Sequence, residues 1–373
     1  MARCRFCAED AGFLRRQHGD CRDAFERAYA DVSAVAAEAA QSHQFDAGGV
    51  RGRIDAFAEQ GRMQSEDVRG ALSAGLDSAL HTALGDGRVS TQEERAIRNF
   101  CDAFGIRLAT GRLSKSLDRR FLDGAARRLQ SDAQAAALAA RDGQAERDRL
   151  AAQLESSLLA PNKQRAILID AWTDAVDEVL EDGLLELDEQ QALGGYLSRF
   201  GLSRADVDRD GAYERVNQAA ILRDVADGQL PDPPSQRVPF NLMKSEQLVW
   251  LCDDARYYKE TTRREFRGSS HGLSIRVAKG LYYRPSTFRG RSVSVTENVH
   301  AGTGLLGLTT KHVYFHGGSE RFRVRYSRIV SFEPYSDGFG LMRDNQRAKP
   351  ETFITGDGWF IYNLVSQLAQ FDG

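Results

Sequence analysis

The sequence predicts a multidomain α+β protein: a small Cys/His-rich module, an all-α region with an internal duplication, and a C-terminal antiparallel β-barrel capped by a helix. Three observations predict this class. Cysteines cluster near the N-terminus, a helical pattern repeats within residues 46–230, and residues 240–373 change to short alternating runs of Val, Thr, Gly and aromatic residues.

Length and composition indicate a folded protein of several domains. The chain has 373 residues, of which 42% are apolar and 28% charged, and its mean hydropathy is -0.46. This composition excludes disordered and fibrous classes. The N-terminal segment lacks the apolar core of a secretion signal, and no apolar run approaches about eighteen residues. We therefore expect a cytoplasmic protein, with peripheral attachment to a membrane as an option.

Four side chains near the N-terminus have the spacing of metal ligands: Cys4, Cys7, His18 and Cys21, in the pattern C-x2-C, ten residues, H-x2-C. Three thiolates and one imidazole favour zinc. They fill its coordination shell, so the pattern indicates a structural ion and not a catalytic one; the alternative is chance clustering. The sequence after His18 is helical, so the last two ligands are expected at the first turn of a helix. Residues 1–45, this module and its helix, resemble a compact treble-clef-like zinc finger.

A segment of the helical region is repeated. The segment LGDGRVSTQEERAIRNFCDAFGI from Leu84 matches LEDGLLELDEQQALGGYLSRFGL from Leu180 at a constant offset of 96 residues. Each copy, about 54–106 and 150–202, is predicted to be a helix, a D-G turn and a second helix that ends at a glycine.

The helix, D-G-x-[VL] turn and downstream Glu resemble the TerB-like helical domain of tellurite-resistance operons. The acidic run ILIDAWTDAVDEVLEDGLLELDEQ gives the second copy the stronger likeness. The resemblance implies an all-helical bundle that takes part in stress-response or antiviral defence assemblies and binds metal. It specifies no reaction.

Four acidic residues of the second copy follow steps of four, three and four, which place them along one helix face: Asp170, Asp174, Asp177 and Glu181. Their mutual repulsion destabilises the helix unless a cation or a basic partner relieves it. The pattern therefore predicts either a solvated face or a docking site for a cation or a basic partner.

Charge is distributed unevenly along the chain. Residues 231–239 form a Pro-rich linker, and residues 255–350 hold 18 Lys or Arg and 7 Asp or Glu, a balance of +11 in a chain of net charge -3. Either the acidic part of the chain docks on this basic part, or the basic part contacts phosphate, lipid headgroups or an acidic partner.

The run GTGLLGLTTKHVYFHGGSERFRVRYSRIVSF and the segment LMKSEQLVW resemble GRAM and bacterial PH-like domains. The resemblance covers residues 240–373 and implies a small antiparallel barrel. Phe360, Leu364, Val365 and Leu368 recur at helical spacing, so a C-terminal helix is expected to cap it.

Basic residues alternate with aromatic residues in a long segment of this domain. Guanidinium groups bind phosphate in a bidentate manner, so the segment suits an anionic surface or nucleic acid; the alternative is an Arg-rich solvent face over an aromatic core. The candidate contact residues are Arg263, Arg264, Arg267, Arg276, Lys279, Arg284, Arg289 and Arg291.

Two functions follow from these observations. We expect a non-enzymatic sensor or scaffold that binds a protein partner and docks its basic domain on an anionic surface or another subunit; self-association is a further option. The alternative is an effector, activated by assembly, that binds nucleic acid or cleaves RNA without a metal. His312 and His316, which face the same way on a strand, and Lys311 would then carry the reaction.

Overall fold

The computed structural model has the predicted α+β class, and its chain forms two compact units, residues 1–216 (unit 1) and 217–373 (unit 2). The structure describes residues 3–11, 16–108, 116–139, 143–208, 210–231, 238–266, 276–278, 281–282, 292–318, 320–346 and 348–371, with the backbone alone at 261–266, 276–278, 281–282, 292–296 and 371. Most of the predicted linker, 231–239, lies outside these residues.

Apart from one β-bridge between Arg3 and Asp10, helices form the regular structure of unit 1 among the described residues, as its Ala, Leu, Arg and Glu content predicts. They are α1 (Gly19–Gln41), α2 (Ala47–Gln60), α3 (Ser65–Ala83), α4 (Thr91–Phe104), α5 (Ser116–Leu138), α6 (Gln144–Ser156), α7 (Pro161–Val179), α8 (Leu187–Phe200) and α9 (Arg204–Val207). The division between the units falls within α10 (Ala212–Ala226), and α11 (Gly358–Phe371) belongs to unit 2.

Two helix pairs of unit 1 have equal lengths. Helices α3 and α7 each have 19 residues, and α4 and α8 each have 14. The turns between them contain Gly87 and Gly183, both with a φ of 76°, and the second helices end at Gly105 and Gly201 with φ of 66° and 60°. These left-handed conformations suit glycine because it lacks a Cβ. The turns and helix ends thus lie where the sequence places them.

Small residues allow α1 and α3 to lie close together. A Cβ added at Gly75 of α3 would overlap with the carbonyl oxygen of Ser33 and lie 2.5 Å from the methyl group of Ala36, both on α1. The surrounding core also contains Leu80 and Phe100, both fully buried. The helices therefore pack through close backbone approach as well as through large side chains.

A buried carboxylate joins α4 to its neighbours. Glu94 accepts hydrogen bonds from the guanidinium of Arg128 at 2.6 Å, the hydroxyl of Ser157 at 2.9 Å and the backbone N–H of Leu158 at 2.7 Å. Its side chain is 3% exposed. Three donors, one of them charged, replace the water that this carboxylate loses on burial.

Unit 2 is built on a curled antiparallel sheet of seven strands, a half-barrel, in the order β6-β5-β4-β1-β9-β8-β7. Among the described residues, β2 and β3 form a separate two-stranded sheet. Closure of the seven-stranded sheet into a full barrel stays a prediction. The strands are β1 (Leu248–Phe266), β2 (Arg276–Ala278), β3 (Leu281–Tyr282), β4 (Ser292–Thr309), β5 (His312–Gly317), β6 (Glu320–Arg325), β7 (Ile329–Tyr335), β8 (Gly338–Arg343) and β9 (Glu351–Ile354).

Aromatic residues form much of the core that packs against this sheet. Tyr257 stacks on Phe353 with ring centroids 5.0 Å apart, and Phe353 stacks on Phe339 at 5.2 Å. From α11, Phe360 and Leu364 enter the same core, so this helix packs on the sheet. Whether it caps a barrel end stays a prediction.

The second half of α10 also contributes to the core of unit 2. Leu222 and Val225 are buried in the same cluster as the sheet residues. From the sequence, this helix is expected within residues 46–230, because its apolar spacing indicates a helix without indicating what that helix packs against.

Candidate metal centre

The four predicted ligands come from a short hairpin and the start of α1. Arg3 and Asp10 form an antiparallel bridge, and Cys4 and Cys7 lie in the turn between them. His18 is the N-cap residue of α1 and Cys21 lies in its first turn, as predicted. The segment that joins hairpin and helix, 12–15, lies outside the described residues.

The ligand atoms of these residues converge. One atom from each of Cys4, Cys7, His18 and Cys21 lies within 4.8 Å of all the others. The Nδ1 of His18 is 3.3 Å from the Cys7 sulfur and 3.8 Å from the Cys21 sulfur. Ligands of a tetrahedral zinc ion lie about 3.3–3.8 Å apart, since the Zn–N and Zn–S bonds are about 2.0 and 2.3 Å. Within the part of the chain that the structure describes, no other His, Cys, Asp or Glu group of three or more is close enough to hold an ion.

A hydrogen bond orients the imidazole of His18 toward the sulfurs. Its Nε2 donates to the carbonyl oxygen of Asp10 at 2.9 Å. This bond places the ring proton on Nε2 in the neutral imidazole, so Nδ1 keeps its lone pair for a metal ion. The same bond, together with the Cys7 sulfur, raises the pKa of His18.

The thiols differ in the ease with which they lose a proton. Burial alone would raise the pKa of Cys4, but hydrogen bonds from the backbone of His18, Cys7 and Phe6 lower it to about 6. Burial, followed by the sulfurs of Cys7 and Cys4, raises the pKa of Cys21 to about 11. Three clustered thiolates therefore repel one another, and a divalent cation relieves this repulsion. The donor set fits a metal ion.

Aromatic rings attach the hairpin to α1. Phe6 lies 4.9 Å from Phe25 between ring centroids, and the guanidinium of Arg5 lies 4.3 Å from the Phe6 ring and 5.2 Å from the Phe25 ring. Cation–π contacts of this kind stabilise the hairpin against the helix that supplies the other two ligands.

The predicted acidic stripe is exposed along α7 and just beyond its end. Asp174 accepts a hydrogen bond from the Gln130 amide at 3.0 Å, and Asp177 pairs with Arg215 at 2.7 Å. Asp170 and Glu181 are exposed as well. Two of the four carboxylates thus bind side chains of unit 1, and the stripe forms no cation-binding group.

The side chains of the eight predicted anion-contact residues lie outside the described part of the structure. The backbone places Arg263 and Arg264 on β1 and Arg276 on β2. Contact with an anionic surface therefore stays a prediction for all eight.

His312, one of the two strand histidines, belongs to a buried polar network. Its Nδ1 donates to Glu246 Oε1 at 2.8 Å, and its side chain is 6% exposed. His316 is half-buried, and Lys311 donates to the hydroxyl of Ser245 at 2.8 Å. The pairing of His312 with Glu246, which lies 66 residues away in the chain, is not predicted from the sequence.

No family model matches this chain, and no curated protein matches it significantly. Among the described residues, no helix combines the length and apolar character that a membrane span requires.

Proposed function

We propose that the protein is a non-enzymatic, zinc-containing scaffold that binds a protein partner and docks unit 2 on an anionic surface or another subunit. The observation that carries this proposal is the convergence of four donor atoms at Cys4, Cys7, His18 and Cys21. A four-coordinate Cys/His site leaves no position for water or substrate, so its ion stabilises the fold.

The proposed zinc centre is of the treble-clef-like type. Two observations support this: one ligand pair lies in a hairpin turn, and the other lies at the start of α1. Zinc bound there cross-links the hairpin to the helix in a segment that has few buried apolar side chains of its own.

We further propose that the helix pairs α3–α4 and α7–α8 arose by duplication of a TerB-like unit. Their equal lengths, matching turn glycines and equivalent buried positions support this. A stress-response or antiviral defence setting follows only from the sequence resemblance.

For unit 2 we propose a GRAM or PH-like domain. The antiparallel order of its seven strands, followed by a C-terminal helix against the sheet, supports this. Docking on an anionic surface is supported by the +11 charge balance of residues 255–350.

Exposed leucines next to acidic residues support binding of a protein partner by unit 1. Leu184 is 68% exposed and Leu187 is 54% exposed, and both lie at the turn that begins α8. Asp182 lies two residues before Leu184, and Glu186 directly precedes Leu187. The first helix pair has Arg88 and Thr91 at the equivalent positions, so the turn forms without these leucines. This surface suits a partner that presents apolar and basic side chains.

No specific observation favours the RNA-cleaving alternative. Its candidate residue His312 is buried and donates to a carboxylate, so it lacks the access that a general acid or base requires.

Metal analysis tests the zinc centre. We expect about one zinc ion per chain by plasma mass spectrometry, and a content near zero for Cys21→Ser. Cys252→Ser is the matched control because this half-buried cysteine is not part of the Cys/His cluster. Metal-free folded wild-type protein, or equal loss in both variants, would contradict the proposal.

Affinity capture from native cells, with nuclease treatment, tests the scaffold. We expect a protein partner that survives nuclease and that Leu184→Ser/Leu187→Ser loses. Val330→Ser, a change at another exposed apolar residue, should retain it. Recovery of RNA alone, or RNA cleavage by the purified chain, would support the effector instead.

A further inference from the structure

We propose that a groove in unit 2, between residues 244–247 and the turn that joins β4 to β5, binds a phosphate monoester. Its volume is about 500 Å³, within the range of about 300–1,000 Å³ of small-molecule sites. The lining residues are Leu230, Lys244, Ser245, Glu246, Gln247, Thr310 and Lys311. The inference rests on the proposed anion docking of unit 2, and it names a site outside the eight basic residues selected from the sequence.

Hydrogen bonds join the two segments that form this groove. The backbone N–H of Gln247 donates to the Thr310 hydroxyl oxygen at 3.2 Å, and the backbone N–H of Thr310 donates to the Gln247 carbonyl oxygen at 3.0 Å. Each segment contributes one lysine, Lys244 or Lys311. These bonds fix the backbone from which the two lysines extend.

The groove offers an excess of hydrogen-bond donors. The ammonium group of Lys311 donates to the Ser245 oxygen at 2.8 Å, so the hydroxyl proton of Ser245 remains available to an acceptor. The Thr310 oxygen likewise accepts from Gln247, which leaves its proton available. Among the described residues, no carboxylate forms an ion pair with Lys244 or Lys311.

The one carboxylate of the lining is already saturated. The side chain of Glu246 is fully buried. Its four donors are the hydroxyls of Thr309 and Tyr314, the His312 ring and the backbone N–H of Met243. It therefore does not compete for the lysines. Two ammonium groups and two hydroxyl groups can donate hydrogen bonds to a ligand that has several charged acceptor oxygens and no donor group of its own. A phosphate monoester has these properties.

The lining favours a small phosphate compound or a lipid headgroup over nucleic acid. Its apolar member is Leu230, and it contains no aromatic ring on which a base could stack. A free phosphate compound and a headgroup share the chemistry that the groove recognises, so the experiment must separate them.

Titration calorimetry of the full-length protein with inositol trisphosphate tests the site. We expect Lys244→Gln/Lys311→Gln to weaken binding about tenfold or more, since each lost charged contact corresponds to about a tenfold change. Lys163→Gln, the same type of substitution at an exposed residue of unit 1, removes one positive charge and should bind like the wild type. Thermal unfolding by circular dichroism checks that the variants fold.

Vesicles of phosphatidylcholine, with or without phosphatidylinositol bisphosphate, separate the two sources. Loss of vesicle binding in the double variant assigns the groove to a headgroup, and loss of trisphosphate binding alone assigns it to a free compound. Absence of trisphosphate binding by the wild type, or equal loss in Lys163→Gln, overturns the inference. If the wild type and the double variant bind the vesicles equally and also bind inositol trisphosphate equally, the assignment of the groove as the binding site is wrong. Anion docking by unit 2 would still hold.

Discussion

At the residue scale, Ala8 has a backbone conformation that its side chain disfavours. It directly follows Cys7 and has a φ of 60°. A left-handed conformation costs an L-residue about 1–2 kcal/mol, and glycine avoids most of this cost. We predict that Ala8→Gly raises the free energy of unfolding of the metal-loaded protein by about 1 kcal/mol, measured by urea denaturation.

Ala34→Gly is the control for this prediction. Ala34 is exposed in the middle of α1, where the change to glycine costs about 1 kcal/mol of helix stability. The two substitutions therefore have opposite expected signs. Destabilisation by both would show that Ala8 is not strained.

Glu246 makes the stability of unit 2 depend on pH. Burial alone would raise its pKa, but hydrogen bonds from Met243, Thr309, His312 and Tyr314 hold the pKa below its usual value. The unfolded state therefore binds more protons below about pH 4.3, the ordinary pKa of Glu. The stabilisation is fully present above that pH and is lost as the pH falls through the folded-state pKa.

Denaturation of the wild type and Glu246→Gln between about pH 3 and pH 6 checks this dependence. We expect the difference in unfolding free energy between the two proteins to shrink as the pH falls. Asp344→Asn, at an exposed position of the same unit, should show no such trend. A difference that stays constant across this range would contradict the assignment.

The sequence predicts the metal ligands and misses the partner of His312, for a physical reason. Cys4, Cys7, His18 and Cys21 lie within 18 residues of sequence, so local spacing defines them. The bond between Glu246 and His312 depends on how β1, β4 and β5 align in the sheet. Spacing along the chain carries no information on that alignment.

At the scale of elements, the contact between α1 and α3 depends on Gly75. An added methyl group would overlap with Ser33 and Ala36 of α1, so the helices would have to separate. We predict that Gly75→Ala lowers the free energy of unfolding by about 1–3 kcal/mol, although alanine is the better helix former. Chemical denaturation measures the change.

Gly194→Ala is the matched control on α8. Its added Cβ would meet nothing within 4 Å. We therefore expect it to stabilise the protein by up to about 1 kcal/mol through helix propensity alone. If Gly75→Ala stabilised the protein as much as Gly194→Ala, this result would contradict the close approach of α1 and α3 at Gly75.

The helix pairs are predictable because local signals define them. Apolar spacing marks their buried faces, and Gly87, Gly105, Gly183 and Gly201 mark their turns and ends. The packing of α10 is not predictable in this way. Leu222 and Val225 would give the same helical spacing in either unit, and only the three-dimensional structure places them in the core of unit 2.

At the scale of the whole molecule, each unit has its own stabilising polar group. The Cys/His cluster lies in residues 1–216, and the network around Glu246 lies in residues 217–373. A bound metal stabilises only the folded state of the unit that contains its ligands. The two units should therefore respond to different perturbations.

Calorimetric unfolding with and without a chelator tests this separation. Removal of the metal should lower the transition of unit 1 by about 5 °C or more, because metal binding contributes directly to folding free energy. The transition of unit 2 should stay within about 1 °C, and Glu246→Gln should lower that transition alone. Cys21→Ser should reproduce the effect of the chelator and abolish any further response to it. A single transition that shifts as a whole under both perturbations would show that the units unfold together, and the metal would then stabilise the entire chain.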